Sequence, residues 1–408
     1  MAEKYSWKFK PKMRARSYGW QGTQKATSRL KEAVSEIKVV ARKDPVLAGE
    51  GVVCLMERIW PAFEHIDTSS GALGGAIYRA LNVLIPILVK APADHRTRTK
   101  WLKRLVQAFE EDGVDYLAPV EERFGEIAVF PDLINQYADD RFDLIKMAWS
   151  QGERFGFIQG TSICLSCLLE VGRHEELMAL LDLRSSRSWY ADKFGAQSLL
   201  RQGRIEDALA FAAQMLAGDR PTYSHGEIAR FCEGLLLQLG RSDEAYRVYG
   251  LPNASGATYL ATYRSLVKRY PERDTRAILI DLMEERGASG KWFAAAKDVG
   301  HLDIALDCAA QSSVEPATLI RAARDFQEKD PRFAATVALQ AVSHLLNGRG
   351  YEPTRTDVED AMRYLHQAAC KIDALGWAKQ SVQRLLAHQM PDVMGFQRVV
   401  NELLPMFD

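Results

Sequence analysis

Two cysteines with two residues between them, Cys164 and Cys167, have the spacing of half a zinc site. A complete site needs a second Cys or His pair at finger-like distance, and none follows in the sequence. His366 and Cys370 lie four residues apart, which places them on one face of a helix, but two ligands do not make a site. We therefore predict no metal centre and expect these cysteines to be reduced thiols, mostly packed in the core.

The glycine-rich stretch 69–75 could present backbone amides to a phosphate at the start of a helix. However, it lacks the Lys-Ser/Thr ending of a P-loop, no strand pattern precedes it, and it does not spell Gly-x-Gly-x-x-Gly. The stretch is more typical of a turn between two helices, where glycine permits close packing. We expect no nucleotide cofactor.

Carboxylates cluster between residues 110 and 126, and paired carboxylates can act as general acid and base. The members of this cluster are Glu110, Glu111, Asp112, Asp115, Glu121, Glu122 and Glu126. A charge run on a helical surface is usually solvated, and catalysis requires a cleft in addition. No Ser-His-Asp or Cys-His arrangement is evident, so the sequence predicts a protein that is not an enzyme.

Residues 7–16 offer the sharpest candidate for binding, because cations and mostly apolar residues alternate along them. The cations are Lys8, Lys10, Lys12, Arg14 and Arg16, and the residues between them are Trp7, Phe9, Pro11, Met13 and Ala15. In an extended backbone these two sets would lie on opposite edges. Such a strip could follow a phosphate backbone and stack on unpaired bases. We take Trp7, Phe9 and the five cations as candidate contacts to a partner or to nucleic acid.

Charge along the chain supports two other interpretations of this segment. Residues 1–43 carry 12 Lys or Arg and 3 Glu, whereas the remainder carries 41 basic and 50 acidic side chains. A basic segment can dock on the acidic body of its own chain with its aromatic side inserted, or it can be disordered. The sequence leaves these alternatives open.

Length and composition favour a folded, elongated protein. The 408 residues exceed one ordinary core, yet a stack of repeats reaches this size without a larger core. The longest apolar stretch, 80–93, falls short of the roughly 20 residues that span a bilayer, and the first 12 residues lack an apolar signal segment. We expect a cytoplasmic protein that does not enter a membrane.

Helical periodicity dominates the chain from residue 26 onward, and the same helix-turn-helix pattern recurs four times. The segments 168–177, 199–208, 236–245 and 295–305 each align on a glycine, namely Gly172, Gly203, Gly240 and Gly300. We expect each glycine to end a helix in a left-handed conformation, with acidic residues beyond it at the start of the next helix. A small or apolar residue five positions after the glycine then lets the two helices approach closely.

These turns resemble those of the tetratricopeptide repeat, a helix-turn-helix unit of about 34 residues with a Gly-x-x-x-x-Ala turn. Successive glycines lie 31, 37 and 60 residues apart, and the last interval is close to two repeats. The resemblance extends over residues 143–387 and implies a stack of antiparallel helix pairs that binds other proteins. The aromatic-Leu-Gly pattern of the family's first helix is missing.

The sequence thus predicts an all-α fold, an α-solenoid of tetratricopeptide-like helix pairs with an extended basic N-terminal arm. We divide the chain into the arm (1–25), an irregular helical layer (26–142) and the helical repeats (143–408). The expected function is that of a non-enzymatic scaffold or adaptor that binds a protein partner and needs no cofactor. The alternative is a nucleic-acid-associated protein that contacts phosphates through the arm.

Overall fold

The computed structural model of the chain describes residues 5–151, 158–217, 224–287, 289–311, 313–387 and 394–408. Every regular element in these ranges is a helix and none is a strand, which confirms the predicted all-α class. The chain divides into two compact units, Met1–Phe231 and Cys232–Asp408. The predicted boundary at residue 143, between the irregular helical layer and the helical repeats, stays a prediction.

The first unit contains most of the long helices. They are α1 (Thr23–Ala41), α2 (Pro45–Phe63), α3 (Ala72–Lys90), α4 (His95–Glu111), α5 (Ala118–Glu121), α6 (Phe124–Ala128), α7 (Pro131–Ser150), α8 (Thr161–Glu170), α9 (His174–Asp182), α10 (Trp189–Arg201) and α11 (Ile205–Ala213). The boundary between the units falls within α12 (His225–Gln238). Short 3₁₀ turns cover Lys10–Lys12 and Gln214–Leu216.

The second unit continues the series of helices. They are α13 (Ser242–Glu244), extended by the π-helical turn Ala245–Gly250, then α14 (Tyr259–Arg269), α15 (Thr275–Arg286), α16 (Phe293–Asp298), α17 (Leu302–Ala309), α18 (Pro316–Asp325), α19 (Pro331–Leu346), α20 (Arg355–Lys371), α21 (Leu375–Ala387) and α22 (Phe396–Leu403). Asp330 caps α19 by accepting a hydrogen bond from the amide of Phe333 at 2.9 Å, as its position before Pro331 predicts.

The four aligned turns have the predicted geometry. The glycines are left-handed, with φ of 75° at Gly172, 75° at Gly203, 73° at Gly240 and 87° at Gly300. At the first turn the amide of Arg173 donates to the carbonyl of Leu168 at 2.9 Å, which closes the end of α8. Five positions after the glycines, the side chains of Leu177, Ala208, Ala245 and Ala305 are fully buried.

The arginine that follows each of the first three glycines forms an ion pair within its own turn. The pairs are Arg173–Glu176, Arg204–Asp207 and Arg241–Glu244, each at 2.6 Å. Each carboxylate lies in the first turn of the helix that follows, where it also meets the positive end of the helix dipole. The three arginines therefore help to fix the turns.

Basic residues also connect one helix pair to the next within each unit. At the end of α10, Arg201 donates to the carbonyl of Leu169 at 2.9 Å and pairs with Glu170 at 2.7 Å, both at the end of α8. At the end of α20, the ammonium of Lys371 donates to the carbonyl of Gln327, just beyond α18, at 3.2 Å. These contacts satisfy carbonyls that a helix end leaves without a partner.

The apolar helix α3 is anchored in the first unit. By length and composition it could cross a membrane, with a mean hydropathy of 1.7, but a buried core helix passes the same test. Its inner face, including Leu81, Leu84 and Leu88, is completely buried. At its C-terminal end the buried guanidinium of Arg98 donates to the carbonyls of Leu88 at 2.8 Å and Ala91 at 2.7 Å.

Candidate functional site

Residues 5–22, which we name the N-terminal segment, are folded onto the other helices of the first unit. The predicted extended strip is therefore not observed. Residues 10–12 form a 3₁₀ turn, in which the ring of Pro11 favours the helical backbone. Trp7 and Phe9 are only 6% and 2% exposed, and Met13 is fully buried. Pro11 and Ala15, expected on the same apolar edge, are exposed because the turn breaks the alternation.

Glu36 of α1 fixes this docked segment. Its carboxylate accepts the amide of Lys8 at 2.8 Å and the amide of Phe9 at 3.1 Å. Two of the cations form ion pairs with the body of the unit, Lys12 with Glu32 at 2.8 Å and Arg16 with Glu64 at 3.0 Å. This is the interpretation in which a basic segment docks on its own chain with the aromatic side inserted.

The remaining cations of the segment, Lys8, Lys10 and Arg14, are exposed, and none of them pairs with a carboxylate of the described residues. Trp7 and Phe9 cannot stack on a base from their buried positions, which corrects the expectation that both lie on a binding edge. The exposed aromatic side chains nearby are those of Tyr5, at 42%, and Trp20, at 69%. The segment therefore exposes cations, but the aromatic side chains that were predicted to stack on bases are buried.

The structure also locates the other sequence candidates. Cys164 and Cys167 are fully buried in α8, and burial raises the pKa of Cys164 to about 12. No group of three His, Cys, Asp or Glu side chains within the described ranges is placed to hold a metal ion. The glycine-rich stretch forms the turn before α3 and the first turn of that helix, and Gly71 adopts a left-handed conformation just before the helix.

A groove of about 440 Å³ in the first unit is lined by charged side chains of both signs. We name it the charged groove, and its lining comes from α3, the α5–α6 segment, α8, α10 and α12. The lining side chains are Tyr78, Asn82, Pro119, Glu122, Arg123, Glu126, Ser166, Leu169, Glu170, Lys193, Phe194, Gln197, Leu200, Arg201 and Glu227. The groove thus joins residues that lie up to 149 positions apart.

Close packing of α6 on α8 sets one wall of the charged groove. The amide of Gly125 donates to the hydroxyl of Ser166 at 3.0 Å. A Cβ built on Gly125 would lie 2.5 Å from the carbonyl oxygen of Ser166, so a larger residue would push the two helices apart. This approach brings Glu126 and Arg123 to the same opening as Glu170.

Ion pairs along the charged groove hold its long side chains in place. Arg123 pairs with Glu126 at 2.6 Å, Lys193 with Glu122 at 2.5 Å, and Arg201 with Glu170 at 2.7 Å. The groove therefore presents both signs of charge in paired side chains rather than a field of one sign. Fixed side chains lose less conformational entropy when a ligand binds.

Other polar groups of the charged groove have no partner within the described residues. Glu227 is exposed and forms no ion pair, and the amides of Asn82 and Gln197 form no hydrogen bond. The ring of Tyr78 is 57% exposed at the rim. These groups are free to bind the backbone or the side chains of a ligand.

A smaller cavity of about 160 Å³ contains part of the acidic cluster. Asp112, Asp115, Glu121 and Glu122 line it together with Tyr190. Burial, followed by the negative charge of Asp115, raises the pKa of Glu121 to about 7. Burial also raises the pKa of Asp112, against the hydrogen bonds that its carboxylate accepts from backbone amides. The cavity thus holds two carboxyl groups, Asp112 and Glu121, whose pKa values are raised by burial.

Sequence reasoning missed the charged groove. One signal was available, because Lys193, Gln197 and Arg201 recur every four residues and form a polar stripe on one face of α10. The opposite wall gives no comparable signal, since Tyr78 and Glu126 reach the groove only through tertiary packing.

Comparison with known proteins supplies no family for this chain. A scan against protein-family models found no match, and a search of curated proteins found none either. The functional argument therefore rests on the geometry of the chain itself.

Proposed function

We propose that this chain is a non-enzymatic helical-repeat scaffold that binds a segment of a partner protein in the charged groove. Support for the repeat architecture comes from the glycine turns and from the basic contacts between successive helix pairs, such as that of Arg201 with the end of α8. On this proposal the helix pairs stack as a tetratricopeptide-like solenoid, and the protein works in the cytoplasm.

The observation that carries the proposal is that the groove presents charges of both signs that are already paired with one another. A volume of about 440 Å³ lies within the roughly 300–1,000 Å³ range of ligand sites. An extended peptide with charged side chains of both signs complements such a lining, and Asn82 and Gln197 can bind its backbone. A small anionic substrate is a poorer fit, because the carboxylates Glu122, Glu126, Glu170 and Glu227 outnumber the cations.

The test fills the groove without changing its charge. Gln197→Trp introduces a large ring into the lining of the groove, and Gln380→Trp makes the same change on the exposed face of α21. Both variants and the wild-type protein are used to capture proteins from native extract at modest salt, followed by quantitative mass spectrometry. Proteins that bind the groove should be captured by the wild type and by Gln380→Trp. Gln197→Trp should capture at least about tenfold less of them. If Gln197→Trp captures the same proteins in the same amounts, the proposal fails.

The exposed cations Lys8, Lys10 and Arg14 favour a second candidate function, association with nucleic acid. Binding through them would be electrostatic and would weaken steeply with salt. Replacing all three by alanine should then abolish the binding of a labelled single strand at low salt. Equal affinity of the triple variant and the wild-type protein would eliminate this candidate.

A further inference from the structure

A second groove of about 200 Å³ runs between α1 and α3 on the other side of α3 from the charged groove. Its floor is formed by Leu30, Ala76 and Ala80, and Thr27 and Val34 form the wall on α1. Because the two alanines are small, an approaching helix can come close to the backbone of α3. We name this surface the α1/α3 groove.

Two cations, Lys31 and Arg79, lie at the rim of the α1/α3 groove. Both are exposed, and neither pairs with a carboxylate of the described residues. Helical spacing places Lys38 on the same face of α1, two turns beyond Lys31. Lys38 thus extends the positive charge of this face of α1 beyond the residues that line the groove.

Within the described part of the chain, no carboxylate forms an ion pair with these cations. The sequence of α3 contains no Asp or Glu. The two carboxylates of α1 are engaged on the other face of that helix by the N-terminal segment, Glu32 by Lys12 and Glu36 by the amides of Lys8 and Phe9. Docking of the segment therefore leaves the α1/α3 groove with an apolar floor and an uncompensated positive rim.

The apolar surface of α3 continues outside the groove. Less than half of its apolar window is buried, and the side chain of Val83 is 40% exposed on the face that carries Arg79. Exposed apolar surface bordered by charge marks interaction sites in proteins. The concave form of the groove matches a helix ridge better than a flat surface.

From this combination we infer that the α1/α3 groove binds an acidic amphipathic helix of a partner protein. The apolar ridge of that helix packs over Ala76 and Ala80, and its flanking Asp or Glu residues pair with Lys31 and Arg79. The positive rim accelerates the encounter and sets the orientation, and the apolar floor supplies the affinity. This surface is independent of the charged groove, so the inference does not rest on the function proposed above.

The experiment uses two synthetic helical probes of about 18 residues, or five turns, with the same leucine stripe. Glutamates flank the stripe in one probe and lysines flank it in the other. Fluorescence anisotropy compares their binding to the full-length wild type, to Lys31→Glu/Arg79→Glu and to the control Lys100→Glu/Lys103→Glu. The control makes the same charge change on exposed positions of α4. Circular dichroism verifies that all variants are folded.

The wild type is expected to bind the acidic probe at least about tenfold more tightly than the basic probe. Lys31→Glu/Arg79→Glu should bind the acidic probe about tenfold or more less tightly than the wild type does, and the affinity of the control for this probe should change by less than about twofold. Val34→Trp, which fills the groove without changing charge, should lower the affinity for the acidic probe as well. Gln197→Trp should leave this affinity unchanged, which separates this surface from the charged groove.

Equal binding of the two probes would overturn the inference, as would full binding of the acidic probe to Lys31→Glu/Arg79→Glu. Vesicles of an anionic phospholipid provide the remaining arm. If the vesicles bind the wild type, lose binding in the charge-reversal variant, and the acidic probe does not bind at all, then the surface contacts a membrane and the protein-helix inference is wrong.

Discussion

The indole ring of Trp7 lies directly against the backbone of Gly51 in α2. A Cβ built on Gly51 would come within 2.3 Å of that ring, closer than real Cβ contacts. Glycine at this position therefore creates the space in which the N-terminal segment inserts its tryptophan. The contact joins residues 44 positions apart and places Trp7 in the core of the first unit.

We predict that Gly51→Ala releases the N-terminal segment. Alanine favours the helix by about 0.5–1 kcal/mol over glycine, but overpacking against Trp7 costs about 1–3 kcal/mol. The net effect is a less stable first unit and an undocked segment. Limited trypsin digestion measures it, because the segment contains the cleavable residues Lys8, Lys12 and Arg14, and cleavage there should accelerate several-fold.

The matched control is Gly74→Ala in α3. A Cβ at Gly74 meets no atom within 4 Å, so alanine should stabilise the helix slightly and leave the digestion rate unchanged. Equal digestion of Gly51→Ala and the wild type would show that the ring of Trp7 does not depend on Gly51.

The repeat turns were predictable from sequence because their physics is local. A left-handed glycine, the amide that follows it and the acidic residues of the next helix lie within about ten residues, as at Gly203. The alternating pattern predicted an extended backbone at residues 7–16. It did not predict the 3₁₀ turn at Pro11, where the ring of the proline favours a helical backbone.

The two grooves were not predictable, since tertiary packing creates them. Tyr78 and Lys193 lie 115 positions apart and meet at one surface only after α3, α8 and α10 pack together. The cations at the rim of the α1/α3 groove remain unpaired because the N-terminal segment binds Glu32 and Glu36 on the other face of α1. A single sequence contains no periodic signal for either relationship.

Gly203→Ala tests the left-handed turns. With φ of 75°, an alanine at this position should cost about 1–2 kcal/mol, because its Cβ crowds the following carbonyl. Urea denaturation followed by circular dichroism should show a lower midpoint. Gly376→Ala, at an exposed position inside α21 where a Cβ meets nothing, should raise the midpoint or leave it unchanged. The same shift in both variants would contradict the assigned turn conformation.

An ion pair with a buried carboxylate in the second unit allows a double-mutant test. The carboxylate of Glu233 is buried and accepts hydrogen bonds from Arg269 at 2.5 and 2.6 Å and from the hydroxyl of Tyr270 at 2.6 Å. Arg269→Met should cost about 3–5 kcal/mol, because it leaves a buried charge without its cation.

The double variant Glu233→Met/Arg269→Met should recover much of that loss, since it removes both charges. Chemical denaturation of the wild type, the two single variants and the double variant gives the coupling energy. Additive effects of the two single substitutions would show that the pair is not energetically coupled.

Glu121 predicts how stability depends on pH. Its pKa of about 7 in the folded chain exceeds the ordinary value of 4.5, mainly because of burial. Between these two values the unfolded chain releases a proton that the folded chain retains, so stability falls as pH rises from about 4.5 to 7. Glu121→Gln removes this loss, and the variant should gain of the order of 1–3 kcal/mol relative to the wild type between pH 5 and pH 8. Denaturation midpoints at both pH values measure the gain, with Glu111→Gln as a control on the exposed end of α4. Parallel pH profiles for Glu121→Gln and the wild type would show that Glu121 is ionised throughout this range.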